Sequence, residues 1–104
     1  EDKELGLYQV RVGDHLIDLA PIAEPMGKQG GPAPAGDGHN MDHFAIQVEP
    51  YDDDAIRDYL SEHGVELGST LIRGGAEGEG PAIYIKDPEG NTVELKGPPD
   101  PAYN

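Results

Sequence analysis

The chain has 104 residues, the length of one typical domain, and its 21 acidic and seven basic residues give a formal net charge of −14 at pH 7. This excess of carboxylates argues against binding to nucleic acid or to anionic membranes, because both need clustered Lys and Arg. Cysteine is absent, which excludes disulfides, thiolate nucleophiles and zinc–thiolate sites. No apolar stretch is long enough to span a membrane. The composition predicts a small cytoplasmic domain in which any metal is held by His, Asp, Glu or water.

The first forty residues predict a hairpin and a linker. Residues 5–12 alternate, with Tyr8, Val10 and Val12 on one face, and Gly13 with Asp14 forms a tight-turn pair before a second strand over residues 15–20. Residues 21–40 contain four Pro, five Gly and no apolar periodicity. We expect neither helix nor strand there, only a linker or a lid.

Residues 41–97 predict the order strand, helix, strand, strand, strand. The strands cover residues 41–48, 65–72, 81–86 and 92–96, and the helix begins after a cap at Asp52 or Asp53 and ends near His63. Capping explains this acidic run better than calcium binding, because the spaced oxygens of a calcium loop are absent. Four residues at helical spacing predict one buried stripe: Ile56, Tyr59, Leu60 and His63.

Strand alternation gathers polar side chains on one side of this predicted sheet. This polar face consists of His43, Gln47, Tyr84, Thr92, Glu94 and Lys96. The opposite side carries the apolar residues that a helix would cover. A face this polar is a poor core, and we expect it to line a cavity.

The two hairpins of the chain are similar in sequence. Residues 7–19 and 83–95 both read as strand, glycine-containing turn, strand and an acid followed by Leu, which pairs Asp18 with Glu94. In the second hairpin, Asp87, Pro88 and Gly90 occupy the preferred positions of a type I turn. A counterpart of His43 in the first unit would precede residue 1.

Three stretches of the sequence resemble the vicinal oxygen chelate superfamily, which includes glyoxalase I, bleomycin-resistance proteins, fosfomycin-resistance enzymes and extradiol dioxygenases. They are Asp-His-Phe-Ala-Ile-Gln-Val at 42–48, the capped helix followed by Gly64 and Val65, and Ala-Ile-Tyr-Ile-Lys-Asp-Pro-Glu-Gly-Asn-Thr-Val-Glu-Leu at 82–95, whose part from Asp87 onward is the most specific. The resemblance implies an α+β fold in which βαβββ modules form a cupped mixed sheet. It implies one domain over residues 1–104, with a partial first module at 1–20, a linker at 21–40, a complete module at 41–97 and a tail at 98–104. The first strand and helix of the first module have no counterpart in this sequence.

The resemblance also implies a metal site. Metal-binding members take ligands from the first and last strands of each module, which correspond here to His43 and Glu94, with Asp18 at the carboxylate position of the first module. The expected cofactor is a divalent ion such as Zn, Ni, Mn or Fe, and Glu94 is the expected catalytic base. The open alternative is a hydrogen-bonded His43–Glu94 pair without metal. Three further residues are candidates for lining a substrate: Gln47, Tyr84 and Arg11.

Two functions follow as hypotheses. The first is a metal-dependent, glyoxalase-like lyase or isomerase that acts on a small oxygen-rich substrate, with dioxygenase chemistry less favoured. The alternative is a metal-free protein that sequesters a ligand or drug, as bleomycin-resistance proteins do. The expected partners are a small molecule and a second copy of the chain, since no helix is predicted to cover one hairpin face, which consists of Tyr8, Val10, Val12, Ile17 and Leu19. Nucleic acid and membrane are not expected partners.

Overall fold

The computed structural model describes residues 6–21, 23–28 and 40–104. The chain forms two units, Glu1–Asp42 and His43–Asn104, and each is described by itself. No helix in these described ranges is long and apolar enough to cross a membrane.

The first unit contains the predicted antiparallel hairpin. Strand β1 (Tyr8–Val12) pairs with β2 (His15–Leu19), so that Tyr8 lies opposite Leu19. Gly13 has φ of 60°, a left-handed conformation that glycine adopts without steric cost and that suits a two-residue hairpin turn. One face of the hairpin is apolar and exposed to between 47 and 54%: Val10, Val12, Ile17 and Leu19.

The expectation of a linker without helix is wrong for one short stretch. Pro25–Lys28 forms a single helical turn, α1, in which the Lys28 amide donates to the Glu24 carbonyl at 2.9 Å. Proline is tolerated at the first helical position, because its missing N–H would have no intrahelical partner there. The rest of the predicted linker at residues 22 and 29–39 lies outside the described residues.

The second unit has the predicted βαβββ order. Strand β3 (His43–Gln47) is followed by helix α2 (Asp53–Glu62) and by β4 (Leu71–Arg73), β5 (Gly80–Lys86) and β6 (Thr92–Lys96). A short 3-10 turn, Pro101–Tyr103, ends the chain. The sheet order is β3-β6-β5-β4, with β3 parallel to β6 and the other pairs antiparallel. The mixed sheet with a helix on one face confirms the predicted α+β fold class.

Helix α2 begins as predicted. Asp52 is its N-cap, and its carboxylate accepts a hydrogen bond from the Ala55 amide at 3.1 Å. His63 is the C-cap, and Gly64 follows with φ of 76°. The capping explanation of the acidic run is therefore confirmed.

The predicted buried stripe of α2 is only half right. Ile56 and Leu60 are partly buried, but Tyr59 is 62% exposed and His63 is also exposed. The rings of Tyr59 and His63 instead stack on each other, with centroids 4.4 Å apart. An open apolar pocket of about 470 Å³ adjoins the helix, lined by Val48, Pro50, Asp52, Ala55, Ile56, Tyr59, Leu60 and Leu95.

The predicted strand over residues 65–72 is also wrong in extent, since only Leu71–Arg73 is paired. The preceding backbone is bound by a helix side chain. The guanidinium of Arg57 donates to the Gly68 carbonyl at 2.7 Å and to the hydroxyl of Thr70. This carbonyl and this hydroxyl are therefore held by α2 and not by the sheet.

The turn between β5 and β6 sets the register of the site. The Gly90 amide donates to the Asp87 carbonyl at 3.0 Å, which confirms the predicted four-residue turn. The Asp87 carboxylate also accepts from the amides of Glu89 and Asn91, and these hydrogen bonds, first among them those from Asn91, lower the pKa of Asp87. The turn places Tyr84 directly opposite Glu94.

Candidate functional site on the polar face

The polar face predicted from strand alternation is present in the second unit. The strand register puts His43 and Gln47 of β3 on the same side as Thr92, Glu94 and Lys96 of β6, and β5 adds Tyr84. Apolar residues occupy the other side, where α2 lies near Leu95. The sequence pattern was sufficient here because side chains alternate strictly along a paired strand.

His43 and Glu94 are in direct contact. The Nε2 atom of His43 lies 3.1 Å from Oε1 of Glu94, although 51 positions separate the two residues. Glu94 is only 5% exposed, whereas the His43 side chain is 32% exposed. The carboxylate is therefore buried and hydrogen-bonded, and the imidazole remains accessible from one side.

Tyr84 lies next to both His43 and Glu94. Its ring meets the His43 ring edge to face, with centroids 5.4 Å apart. Its hydroxyl is hydrogen-bonded to Glu94. Burial, together with this hydrogen bond and the charge of Glu94, raises the pKa of Tyr84 to about 12, so the phenol keeps its proton at neutral pH.

Opposing effects act on the carboxylate of Glu94. Burial is the largest single influence and raises its pKa. The hydrogen bonds from His43 and Tyr84 and the charges of His43 and Lys96 together outweigh burial, so that the pKa lies below its ordinary value. Glu94 is therefore ionised at neutral pH and accepts hydrogen bonds.

Arg73 is a polar-face residue that the sequence did not indicate. It pairs with Gly80, and its guanidinium carbon lies 6.0 Å from the centroid of the Tyr84 ring. The predicted strand ended one residue earlier, at Ile72. Continuing the alternation from Leu71 by two positions would have placed Arg73 on this face.

Two predicted site residues, Arg11 and Asp18, lie in the first unit. Asp18 is exposed and accepts a hydrogen bond from Gln9 Nε2 at 3.0 Å, and Arg11 donates to the Gly13 carbonyl at 3.4 Å. They share one face of the hairpin. That they join His43 and Glu94 in one site stays a prediction.

His43 and Glu94 offer donor atoms that suit a divalent metal ion. An imidazole nitrogen and a carboxylate oxygen suit Zn, Mn, Fe, Co or Ni. Among residues 6–21, 23–28 and 40–104, no three His, Asp or Glu side chains lie close enough together to hold an ion. His43 and Glu94 thus fit a metal in donor chemistry and supply two of the donors it needs.

Comparison with solved structures finds several similar chains. Two integron cassette proteins, from the mobile metagenomes of V. cholerae and V. pseudocholerae, are each 21% identical, with TM-scores of 0.48 and 0.49; each match covers 91% of this chain and 78% of the other. A virulence protein from Salmonella typhimurium is 20% identical, with a TM-score of 0.48, over 92% of this chain and 80% of that one. No curated protein matches the chain.

Comparison with protein families gives a match over residues 1–95, which is most of the chain. The matching family is described as the Glyoxalase/Bleomycin resistance protein/Dioxygenase superfamily. The βαβββ order and mixed sheet of the second unit agree with this match. The chain belongs to the Glyoxalase/Bleomycin resistance protein/Dioxygenase superfamily.

Proposed function

We propose that the protein is a metal-dependent, glyoxalase-like lyase or isomerase with His43 and Glu94 as metal ligands. The observation that supports this is the 3.1 Å contact between Nε2 of a partly exposed imidazole, His43, and the carboxylate of the nearly buried Glu94. Burying a carboxylate costs free energy unless the carboxylate is paired, and His43 is the partner that the fold places beside Glu94. Glu94 is ionised, so it needs no further deprotonation to act as a ligand or a base.

A divalent ion bound there supplies Lewis-acid stabilisation of neighbouring substrate oxygens. The chain's own residues then have separate tasks. The ionised carboxylate of Glu94 alternates between two roles, as a ligand and as the group that accepts a proton from the substrate. Tyr84 keeps its hydroxyl proton at neutral pH and orients Glu94 through their hydrogen bond. Gln47, on the same face, offers an amide to a polar substrate.

Metal binding is tested by titrating the metal-stripped protein with Zn, Ni, Mn and Fe salts and by elemental analysis. We expect saturable binding that weakens at least about tenfold in His43→Ala and in Glu94→Gln, since loss of outer-shell partners alone weakens metal sites by about 10–100-fold. The matched controls are His63→Ala and Glu89→Gln, because both residues are exposed and lie off the polar face. Equal loss in a control and in a site variant would contradict the assignment.

The alternative function is a metal-free protein that sequesters a ligand. The His43–Glu94 hydrogen bond supports this alternative, because the carboxylate already has protein partners in the absence of an ion. Binding of a small ligand by metal-stripped protein, unchanged after metal is added, would favour it. No metal binding by the wild-type chain would exclude the enzyme of the preceding proposal.

A further inference from the structure

The basic residues of the second unit are distributed unevenly. Residues 43–104 contain 13 carboxylates and only four cations. Three of those cations lie on the polar face of the sheet: Arg73, Lys86 and Lys96. The fourth, Arg57, lies on α2 and pairs with Asp53 at 2.8 Å. A strongly acidic unit therefore concentrates its positive charge on one side of its sheet.

Within residues 6–21, 23–28 and 40–104, none of these three cations forms an ion pair with a carboxylate, since none has a carboxylate oxygen within 4.0 Å. Lys86 donates to the Thr92 hydroxyl at 2.6 Å, and Arg73 donates to the Ile72 carbonyl at 3.2 Å. On the polar face the strands carry one carboxylate, Glu94; Glu49, just beyond β3, contacts Gln47. Carboxylates are abundant elsewhere in this unit, whereas the described strands carry a single one, Glu94, on the face that holds these cations.

Lys96 is a buried cation, and burying a charge costs free energy of folding. Its side chain is 6% exposed, and its ammonium donates to the carbonyls of Gly78 and Gly97 at 3.0 and 3.2 Å. A side chain on Gly75 would collide with it, since an added Cβ would lie 2.8 Å from Cε of Lys96. Among the described residues the hydrogen-bond acceptors of Lys96 are neutral carbonyls, so its positive field extends over the nearby site, because little water screens it.

Arg73 is placed to contact a ligand directly. It is exposed, and its guanidinium lies beside the Tyr84 ring, next to the Glu94 carboxylate that Tyr84 binds. A guanidinium offers two parallel N–H groups, which match the two oxygens of a carboxylate.

We propose that the polar face binds a small organic carboxylate, with its carboxylate group on Arg73 and its remaining oxygens toward His43 and Glu94, in the positive field of Lys96 and Lys86. This inference names the substrate class of the proposed enzyme. Its statement about a substrate rests on the proposed function, whereas its statement that the face binds a carboxylate does not. A cationic ligand would meet three like charges on this face. The overall charge of −14 is therefore a poor guide to the ligand.

The test uses metal-stripped protein and two probes of nearly equal shape, lactate and lactamide, at constant ionic strength. Backbone amide resonances are followed during titration. We expect lactate to shift the resonances of β4 and β5 saturably, and lactamide to leave them unchanged. Equal shifts with both probes, or no saturable shift with lactate, would overturn the proposal.

Variants identify the contact. Arg73→Gln should weaken lactate binding about tenfold, the effect of losing one charge-assisted hydrogen-bond pair, and Arg73→Lys should lose less, since it keeps the charge without the fork. Lys28→Gln removes one exposed charge from the first unit and should leave lactate binding unchanged. Wild-type affinity in Arg73→Gln, with an intact amide spectrum, would refute the role of Arg73. The lactate titration uses metal-stripped protein, so its outcome is independent of the metal titration. Lactate can bind when metal does not, and metal can bind when lactate does not.

Discussion

Asp53 is the first residue of α2, and three side chains hold its carboxylate. The Thr70 hydroxyl and the Tyr51 hydroxyl donate to Oδ1, the latter at 2.8 Å, and Arg57 donates to Oδ2 at 2.8 Å. The hydrogen bond from Thr70 contributes most to lowering the pKa of Asp53 below 3.8; burial opposes it, and Tyr51 and Arg57 add to the decrease. Burial, together with the hydrogen bond to Asp53 and the charge of Asp53, raises the pKa of Tyr51 to about 12. This cluster fastens the start of the helix to the chain before β4.

The cluster predicts a pH dependence. A carboxyl whose pKa is lower in the folded state stabilises the fold above its unfolded pKa, here 3.8, and loses that contribution as pH falls through the folded value. We expect urea midpoints to fall as the pH is lowered below 3.8, and less so in Asp53→Asn. At neutral pH Asp53→Asn should cost about 1 kcal/mol, a value reduced for its partial exposure.

Asp58 provides the matched control for this prediction. It lies on the same helix, is exposed, and loses the same charge in Asp58→Asn. We expect no loss of stability in this variant. Other carboxylates on the helix repel the carboxylate of Asp58, so removing its charge does not remove a favourable interaction. An Asp53→Asn midpoint equal to that of Asp58→Asn at neutral pH would show that the cluster contributes nothing.

At the scale of elements, the β5–β6 turn joins the two strands whose register places Tyr84 opposite Glu94. Gly90 has φ of 85°, and an added Cβ there would meet no atom within 4 Å. Gly90→Ala therefore tests backbone conformation alone. We expect a loss of about 1 kcal/mol in the free energy of unfolding, since a left-handed conformation disfavours any residue with a Cβ.

Gly68→Ala is the control for Gly90→Ala. It also has open space at the Cβ position, but its φ is outside the left-handed region. We expect Gly68→Ala to be neutral or to stabilise by up to about 1 kcal/mol, through the lower entropy of the unfolded chain. Urea denaturation of both variants measures the difference, and equal midpoints would mean that the turn conformation is not strained by alanine.

At the scale of the whole molecule, we propose a homodimer. The apolar hairpin face of Val10, Val12, Ile17 and Leu19 is about half exposed, and two-stranded hairpins are marginal without a covering layer. We expect light scattering to give a mass that falls from dimer to monomer on dilution. A monomer at every concentration would refute the proposal.

Neighbouring residues on opposite faces of β1 identify the interface. Val10→Lys places a charge in the apolar face, whereas Gln9→Lys places the same charge on the polar side of the same strand. We expect Val10→Lys to shift the protein to monomer, because burying an unpaired ammonium is costly. Gln9→Lys should remain dimeric. Dissociation in both variants would indicate a net-charge effect and not the apolar face.

The sequence by itself determined the hairpin, the βαβββ order, the Asp52 cap, the β5–β6 turn and the side of the sheet on which His43 and Glu94 meet. These features depend on local signals: two-residue alternation, helical spacing, and the turn and cap preferences of Asp, Pro and Gly. The sequence also predicted that His43 and Glu94, 51 positions apart, belong to one site, because the family resemblance aligns both strands.

The tertiary structure alone decided what depends on partners distant in sequence. Arg57 of α2 binds the backbone that was expected to be a strand, so β4 has three residues. The loop carbonyl of Gly78 receives the ammonium of Lys96, which buries a residue that alternation could only assign to a face. The pairing of β4 with β5 places Arg73 beside the ring of Tyr84, and Arg73 is the third cation of the polar face. Periodicity predicts where a side chain points; which groups meet it there is set by the packing of segments that the local sequence does not encode.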